Sequence, residues 1–485
     1  MGSSTLVDEL KATLNDAEIV TPDSPTYTRS IARWSDTAIK QAAVVVYPRN
    51  TTEVSQTIKL STAHSTPLVV AGGRHSTGGD SSITSGLIID LSRMRAVTVD
   101  AAAKTITAQG GCTWQDVDEG AAAHGLATVG GTVNHTGVGG LTLGGGYGFL
   151  SGLHGLAVDN LLAVEIVLAD GAVARASDAE HADLFWAVRG AGAAFGCVTA
   201  FTFCAHELPA RRVFMGVLAW PLAFAPKVIE FANGVARDDD DGKTVVHVML
   251  ISPPELGGQV AVSATVFHAA PEAEAREKLK PLLESDPRPL LDLTQERPYE
   301  EVNGVLAAST PHGGRKSIKG ATFGRPLRVD KFEKTAKVYE GMIKEVPSAA
   351  RSMVAFEFMN PGKVCERRVE EMAMPHRSAR LQGAILTLWE GEENDLVVRE
   401  WARKIAAVMS EPGEEDVGKE NFEYVNYDGK LMSLSFIVDP SLIFVGTDSG
   451  PEKVYGPNYG RLIELKAKYD PQNVFKKNID IKAAV

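Results

Sequence analysis

The chain has 485 residues, with 49 basic against 61 acidic side chains and a formal net charge of −12. That balance argues against nucleic acid or an anionic membrane as the main partner, because both demand a basic footprint. No run approaches the ~20 apolar residues of a membrane helix, four cysteines cannot staple a chain this long, and the length allows two to four domains.

The opening residues carry neither a basic stretch nor an apolar core, so the chain as given shows no secretory signal. The expectation is an intracellular protein, or a secreted one whose signal has been removed. Residues 43–48 form a β-rich run, Thr51 opens an amphipathic helix through His64, and residues 68–73 read as a second strand. Strand-like runs follow at 87–91, 96–100 and 105–111, then a helix over 113–125. Residues 161–177 read as a hairpin turned at Asp170-Gly171, 183–190 as a helix and 196–203 as a strand. Strands and helices interleave without a regular βαβ period, which favours an α+β layered domain over a doubly wound one. Beyond Pro209 the runs 213–220, 245–252, 259–269 and 384–389 alternate with amphipathic helices, and their two-residue period predicts an antiparallel sheet with one buried face. Cys112, Cys197, Cys204 and Cys365 show neither C-x-x-C spacing nor a histidine cluster, so they are expected to be buried thiols, and no metal is expected.

Eleven of the 46 glycines fall in two short segments, Ala71–Gly79 and Thr136–Gly148, and these concentrate the chemistry. Glycine admits φ > 0 and leaves no Cβ in the way, so successive backbone N–H groups can converge on an anion such as a pyrophosphate. Neither standard nucleotide fingerprint is present. A G-x-G-x-x-G from Gly137 meets Thr142 at its third glycine, and Gly242-Lys243-Thr244 has Arg237 where a P-loop begins. His75, set between two glycine pairs just after an apolar strand, is placed to act as a nucleophile, ligand or base, or simply to pack.

Together these segments resemble the vanillyl-alcohol-oxidase (PCMH) type of FAD-binding fold and, within it, the berberine-bridge-enzyme-like branch. The resemblance runs through Val45–Pro48, Gly72–Ser76, Gly137–Gly148, His154–Asn160, Asp183–Gly190 and Phe195–Thr199, and returns at Tyr424–Tyr427, Tyr455–Leu462 and Lys468–Phe475. It implies a two-domain α+β flavoprotein: an FAD domain over residues 1–208, a substrate domain with an antiparallel sheet covered by helices over 209–420, and a segment over 421–485 returning to the FAD domain.

The resemblance also assigns residues. Ala71, Gly72, Gly73, Arg74, Ser76, Thr77 and Gly79 of the first segment would hold the flavin. So would Val133, Asn134, His135, Thr136, Gly137, Gly139, Gly140, Gly144, Gly145, Tyr147 and Gly148 of the second, with Val198 near the adenine and Asn478 near the C-terminus. His75 would carry a single covalent bond to the flavin 8α carbon. The second, cysteinyl bond of many members is not expected, since Val133 occupies that position. Arg74 stands where the family usually has a glycine, facing a pyrophosphate or pairing with a carboxylate. Tyr427 matches a catalytic tyrosine, and His154 is a second candidate for the reacting face. The partner that would tune Tyr427 falls, by ungapped counting after Pro375-His376-Arg377, on Gly383 beside Gln382. The implied activity is hydride transfer from a CH–OH donor of alcohol or carbohydrate type to flavin N5, with O2 as acceptor. Alternatives are an amine or N-heterocycle donor, a non-oxygen acceptor, or a flavin-retaining binding protein.

Overall fold

Strands β1 (Glu18–Val20), β2 (Val44–Tyr47), β3 (Leu68–Ala71) and β4 (Leu87–Asp90) form a sheet in the order β1-β2-β4-β3. β2 and β3 both run parallel to β4, and the helix Thr51–Ala63 makes the crossover. Its start is set by Asn50, whose side chain accepts the Glu53 N–H at 3.0 Å and satisfies one of the helix's unpaired donors. Val54 and Ile58 then bury against Val44 and Val46. The loop after β3 is therefore delivered from the end of a buried strand. The computed structural model describes residues 2–208, 210–237, 240–254, 257–413, 424–427, 450–476 and 480–482.

Next come β5 (Val97–Asp100), β6 (Thr105–Gln109), β7 (Leu126–Ala127), β8 (Leu161–Val167), β9 (Val173–Ser177), β10 (Cys197–Cys204) and β11 (His206–Glu207). Five of them make an antiparallel sheet, β5-β6-β10-β8-β9, while β7 pairs with β11. The β8–β9 hairpin turns where expected, with Gly171 at φ +79°.

The third sheet comprises β12 (Arg212–Pro221), β13 (Thr244–Ile251), β14 (Ala261–His268), β15 (Leu291–Asp292), β16 (Gln295–Pro298), β17 (Arg315–Phe323), β18 (Met353–Met359) and β19 (Leu381–Trp389). Its order is β15-β12-β14-β13-β18-β19-β17, with β16 also on β12, and every pairing is antiparallel. The expectation of one buried face fails here, since β14 is buried along its whole length. Helices 225–235, 272–283, 329–345 and 395–410 cover one face, packing on Val246, Val248 and Leu250. The opposite face meets the N-terminal lobe through Val213, Met215, Val245 and Phe267, so one apolar core continues between the two lobes.

The helix Tyr459–Tyr469 returns to the helix Ala182–Ala191, with Lys468 Nζ donating to Asp183 at 2.6 Å and Tyr469 Oη at 2.8 Å. Cys112 and Cys197 are buried, but Cys204 is half-buried and Cys365 is exposed on the short helix Gly362–Cys365, so the expectation of four buried thiols fails. No helix among the described residues is long and apolar enough to cross a membrane.

Candidate active site

A cavity of about 380 Å³ opens between the lobes, lined by the loop after β3, the second glycine segment, the inner face of the third sheet, and the Tyr424–Tyr427 turn. Of the residues singled out above, Gly72, Gly73, Arg74, His75, Ser76 and Thr77 line it from the first segment. Val133, Thr136, Gly137, Gly139, Gly140 and Tyr147 line it from the second, and Val198 and Tyr427 complete the set.

The two glycine segments touch backbone to backbone. A Cβ on Gly73 would sit 2.2 Å from the Gly137 nitrogen, and one on Gly137 would sit 2.3 Å from that of Gly73. No side chain fits at either position. A Cβ on Gly140, by contrast, would meet nothing within 4 Å, so this glycine leaves the cavity wall open rather than relieving a clash. Arg74 adopts φ +59°, a left-handed conformation that costs a non-glycine residue about 1 kcal/mol. Its guanidinium lies 2.6 Å from the buried Asp90 carboxylate, and that pairing offsets the strain. Of the two roles open to Arg74, the structure shows the carboxylate pair.

At this end His75 stacks on Trp34 (centroids 4.7 Å apart, 15° between planes). Its Nε2 is 2.6 Å from Nδ1 of His135. Trp34 is fixed by an Nε1 hydrogen bond to the Thr310 carbonyl at 2.8 Å and by the Lys316 ammonium 4.6 Å above its ring. Burial first, then repulsion from His135, His312 and Lys316, holds the His75 imidazole well below its ordinary pKa, so it is neutral at pH 7. His135 is lowered to about 4 by burial first and then by repulsion from His312 and Lys316. The ring nitrogens of His75, His135 and His312 lie within 4.8 Å of one another, close enough for one cation to bridge them. Trp34, His312 and Lys316 carried no sequence signal, because each comes from a segment remote from the glycine motifs.

The other end is built on β18 and the C-terminal turn. Along β18, Val354, Phe356 and Phe358 enter the helix-covered core while Met353, Ala355 and Glu357 face the cavity. Tyr427 Oη donates to Glu357 Oε1 at 2.9 Å. The partner of Tyr427 is therefore Glu357, and not the Gly383 position that counting indicated. Gly383 itself backs onto Met409, the Ala355 carbonyl and Ala321. Enclosure away from bulk water raises the Glu357 carboxyl to about 7, with the Tyr427 hydrogen bond opposing the rise. Tyr427 is pushed well above the usual phenol range, by burial first and then by the Glu357 charge. The turn is seated on the second glycine segment: Gly146 N–H donates to Tyr424 Oη at 3.0 Å, and Asn426 Nδ2 donates to the Leu141 carbonyl at 2.9 Å. Tyr147 and Tyr427 both meet Tyr424 edge-to-face at 5.0 Å.

The remaining candidates lie off the cavity wall. Ala71 is buried at the end of β3, and Gly79 turns the loop at φ +76°. Asn134 donates its N–H to the Asn303 carbonyl at 2.7 Å, and His135 backs His75. Gly144 ends the helix Val138–Leu143, Gly145 packs under Met374 and Tyr424, and Gly148 lies against the Gly130 carbonyl. His154 is a correction: it stacks on His206 (centroids 3.7 Å apart, 7°) and does not line the cavity. Asn160 spans this pair, its Oδ1 accepting from His206 Nε2 at 2.6 Å and its Nδ2 donating to the His154 carbonyl at 3.0 Å. Asn478 lies outside the described residues.

A glycine-backed cavity with a neutral imidazole at one end and a carboxyl–phenol pair at the other fits a flavin. Comparison with known proteins identifies it. Residues 42–177 match the FAD binding domain family, and residues 423–482 match the berberine and berberine like family. The FAD-linked oxidoreductase pgmH of Aspergillus terreus is 32% identical over 474 residues, covering 93% of this chain and 90% of that one. The 6-hydroxy-D-nicotine oxidase of Arthrobacter nicotinovorans superposes with a TM-score of 0.77 at 25% identity, covering 96% of this chain and 98% of its own. A carbohydrate oxidase from Microdochium nivale shares the fold, with a TM-score of 0.79 at 19% identity over 100% of both chains. The chain belongs to the berberine-bridge-enzyme-like branch of the vanillyl-alcohol-oxidase (PCMH) type FAD-linked oxidoreductases.

Proposed function

We infer that this FAD-dependent oxidoreductase takes hydride from a CH–OH donor and passes the electrons to O2, with the flavin bonded to His75. The observation that carries the reading is the Tyr427–Glu357 hydrogen bond at 2.9 Å, set in the same cavity as a neutral, buried His75. Bound FAD would supply the hydride acceptor and, through O2, the route out for two electrons.

The residues supply positioning and proton transfer. With Nε2 of His75 engaged by His135, Nδ1 is the nitrogen left to carry a bond to the 8α carbon. A neutral imidazole presents the lone pair that such a bond needs. A buried phenol whose proton already points at a carboxylate does not ionise by itself at pH 7. Tyr427 instead relays: it takes the donor's hydroxyl proton as its own passes to Glu357, and a carboxyl near 7 is matched to accept it at neutral pH.

Anaerobic mixing of the yellow protein with an alcohol panel tests the reading. Flavin bleaching, a rate limited by an acid limb near pH 7, and peroxide on admitting air are expected. Bleaching by amines and by no alcohol would overturn the donor class. That second reading, a CH–NH donor, is favoured by the 25% identity to the 6-hydroxy-D-nicotine oxidase. Slow reoxidation in air would replace O2 with another acceptor.

A further inference from the structure

The register of the third sheet sorts its cavity face into rows. Met249 lies opposite Ala355, which lies opposite Ala384. In the next row Met353 lies opposite Leu386, which lies opposite Ile318. On the other side of the first row His247 lies opposite Glu357, beside Tyr427. All eight residues of these rows line the cavity. The sheet therefore presents two apolar rows and one polar edge, and the polar edge is the proton-accepting pair described above. His247 adds no charge there, because burial lowers it to about 4 and its ring stacks on Phe149 at 5.4 Å.

Three of the polar side chains that line the cavity are already engaged within the protein. Asn426 donates to the Leu141 carbonyl at 2.9 Å, Thr310 Oγ1 donates to the Leu306 carbonyl at 3.1 Å, and Ser76 Oγ donates to Asp80 at 2.8 Å. A sugar placed against the sheet would set several hydroxyls on Met, Leu, Ile and Ala side chains with no partner, each stripped of water without return. A donor with one hydroxyl and an apolar ring body leaves none unpaired.

We propose that the substrate is a ring-bearing, largely apolar alcohol. Its one hydroxyl meets Tyr427 and Glu357, its body lies on the Met249–Ala355–Ala384 and Met353–Leu386–Ile318 rows, and sugars are rejected. The assignment rests on the CH–OH reading. The step balances as that reading has it: the C–H leaves as hydride to flavin, the O–H proton goes to the Tyr427–Glu357 pair, a C=O forms, and O2 takes up the two electrons as peroxide.

The test uses the holoprotein under anaerobic conditions, with flavin bleaching as the readout. One panel holds benzyl alcohol, cinnamyl alcohol and 2-naphthalenemethanol; the other holds glucose, cellobiose, xylobiose and diacetylchitobiose. The best ring alcohol is expected to exceed every sugar by at least about tenfold in kcat/KM. Indane, an apolar ring without a hydroxyl, is expected to inhibit competitively. Met249→Gln places an amide in the wall and should raise KM for the ring alcohol about tenfold, more than it lowers kcat, while Met249→Leu restores it. Sugars that match the ring alcohols would overturn the substrate class and leave the CH–OH reading standing. Bleaching by ring amines alone, with indane still competitive, would overturn the CH–OH reading and keep the apolar wall. Loss of indane inhibition together with an unchanged KM in Met249→Gln would overturn the wall itself.

Discussion

The two ends of the cavity are made by opposite routes. The His75 end is framed by the two glycine segments, locked together where Gly73 and Gly137 leave no room for a Cβ, with Trp34, His312 and Lys316 closing around them. The Glu357 end is assembled from distant parts, β18 and the Tyr424–Tyr427 turn, which meet in the Tyr427–Glu357 hydrogen bond of 2.9 Å. Burial drives both ends toward neutrality, but in opposite directions. It strips the proton from His75, as repulsion from His135, His312 and Lys316 also does, and it retains the proton on Glu357 up to about pH 7. The first end is thus fitted to hold and the second to exchange a proton.

The largest effect should come from breaking the holding end. His75→Ala is expected to abolish acid-stable flavin: denatured wild-type protein stays yellow and the variant's precipitate is colourless. A colourless wild-type precipitate would refute the covalent bond while leaving non-covalent FAD binding intact.

At the exchanging end, Glu357→Gln should slow flavin reduction by roughly 10²–10⁴-fold and remove the acid limb near pH 7. On the proposed relay from Tyr427 to Glu357, adding Tyr427→Phe to Glu357→Gln should cost little more than either change alone. Losses that multiply would show that the two groups act separately. A raised carboxyl is not by itself a sign of catalysis. Asp118 rises to about 8, yet it is fully buried beneath an Asn303 amide at 2.7 Å and does not line the cavity.

The same end should show a smaller effect on stability. The Glu357 carboxyl is raised from 4.5 to about 7 on folding, so the folded state retains a proton that the unfolded chain has released. Stability is therefore fully present below about pH 4.5 and falls as pH rises to 7, by up to roughly 3 kcal/mol. Gln does not titrate, so the Tm of Glu357→Gln relative to wild type should climb across that window. A gap that stays constant with pH would place the carboxyl in a more solvated setting.

The contrast also explains what could be read from the sequence. Glycines declare themselves wherever backbone must touch backbone or φ must be positive, so the loops around His75 stood out, as did the strands and helix that carry them. Glu357 did not. In Met353–Met359 it is one carboxylate in an apolar run, and which face it takes is decided by pairing with β13 and β19, contacts far away in the chain. Ungapped counting reached Gly383 because it followed the strand after Pro375-His376-Arg377. The carboxyl that meets Tyr427 comes from the neighbouring strand, one step across the sheet. The two-sided burial of the third sheet was hidden for a similar reason, since the second covering layer belongs to the other lobe.

The smallest expected effect tests the border of the site. His154 sits in a motif that resembles the family's, seven residues after Tyr147, which does reach the cavity, and that resemblance made it a candidate for the reacting face. In the fold its ring lies flat on His206, and burial and that neighbour lower it to about 4. Burial lowers His206 as well, and His154, at about 4, is neutral in the pH range in which Glu357 titrates. Nearby, Arg377 holds Asp159 with hydrogen bonds of 2.7 and 2.9 Å, tying the Pro375–Arg377 turn to the helix end that follows His154. His154 therefore belongs to the scaffold that positions this junction. His154→Ala should leave the reductive rate and its acid limb within about twofold of wild type, and lower Tm through the lost stacking contact. A reductive rate that falls as far as in Glu357→Gln would return His154 to the reacting face and break the division between the two ends.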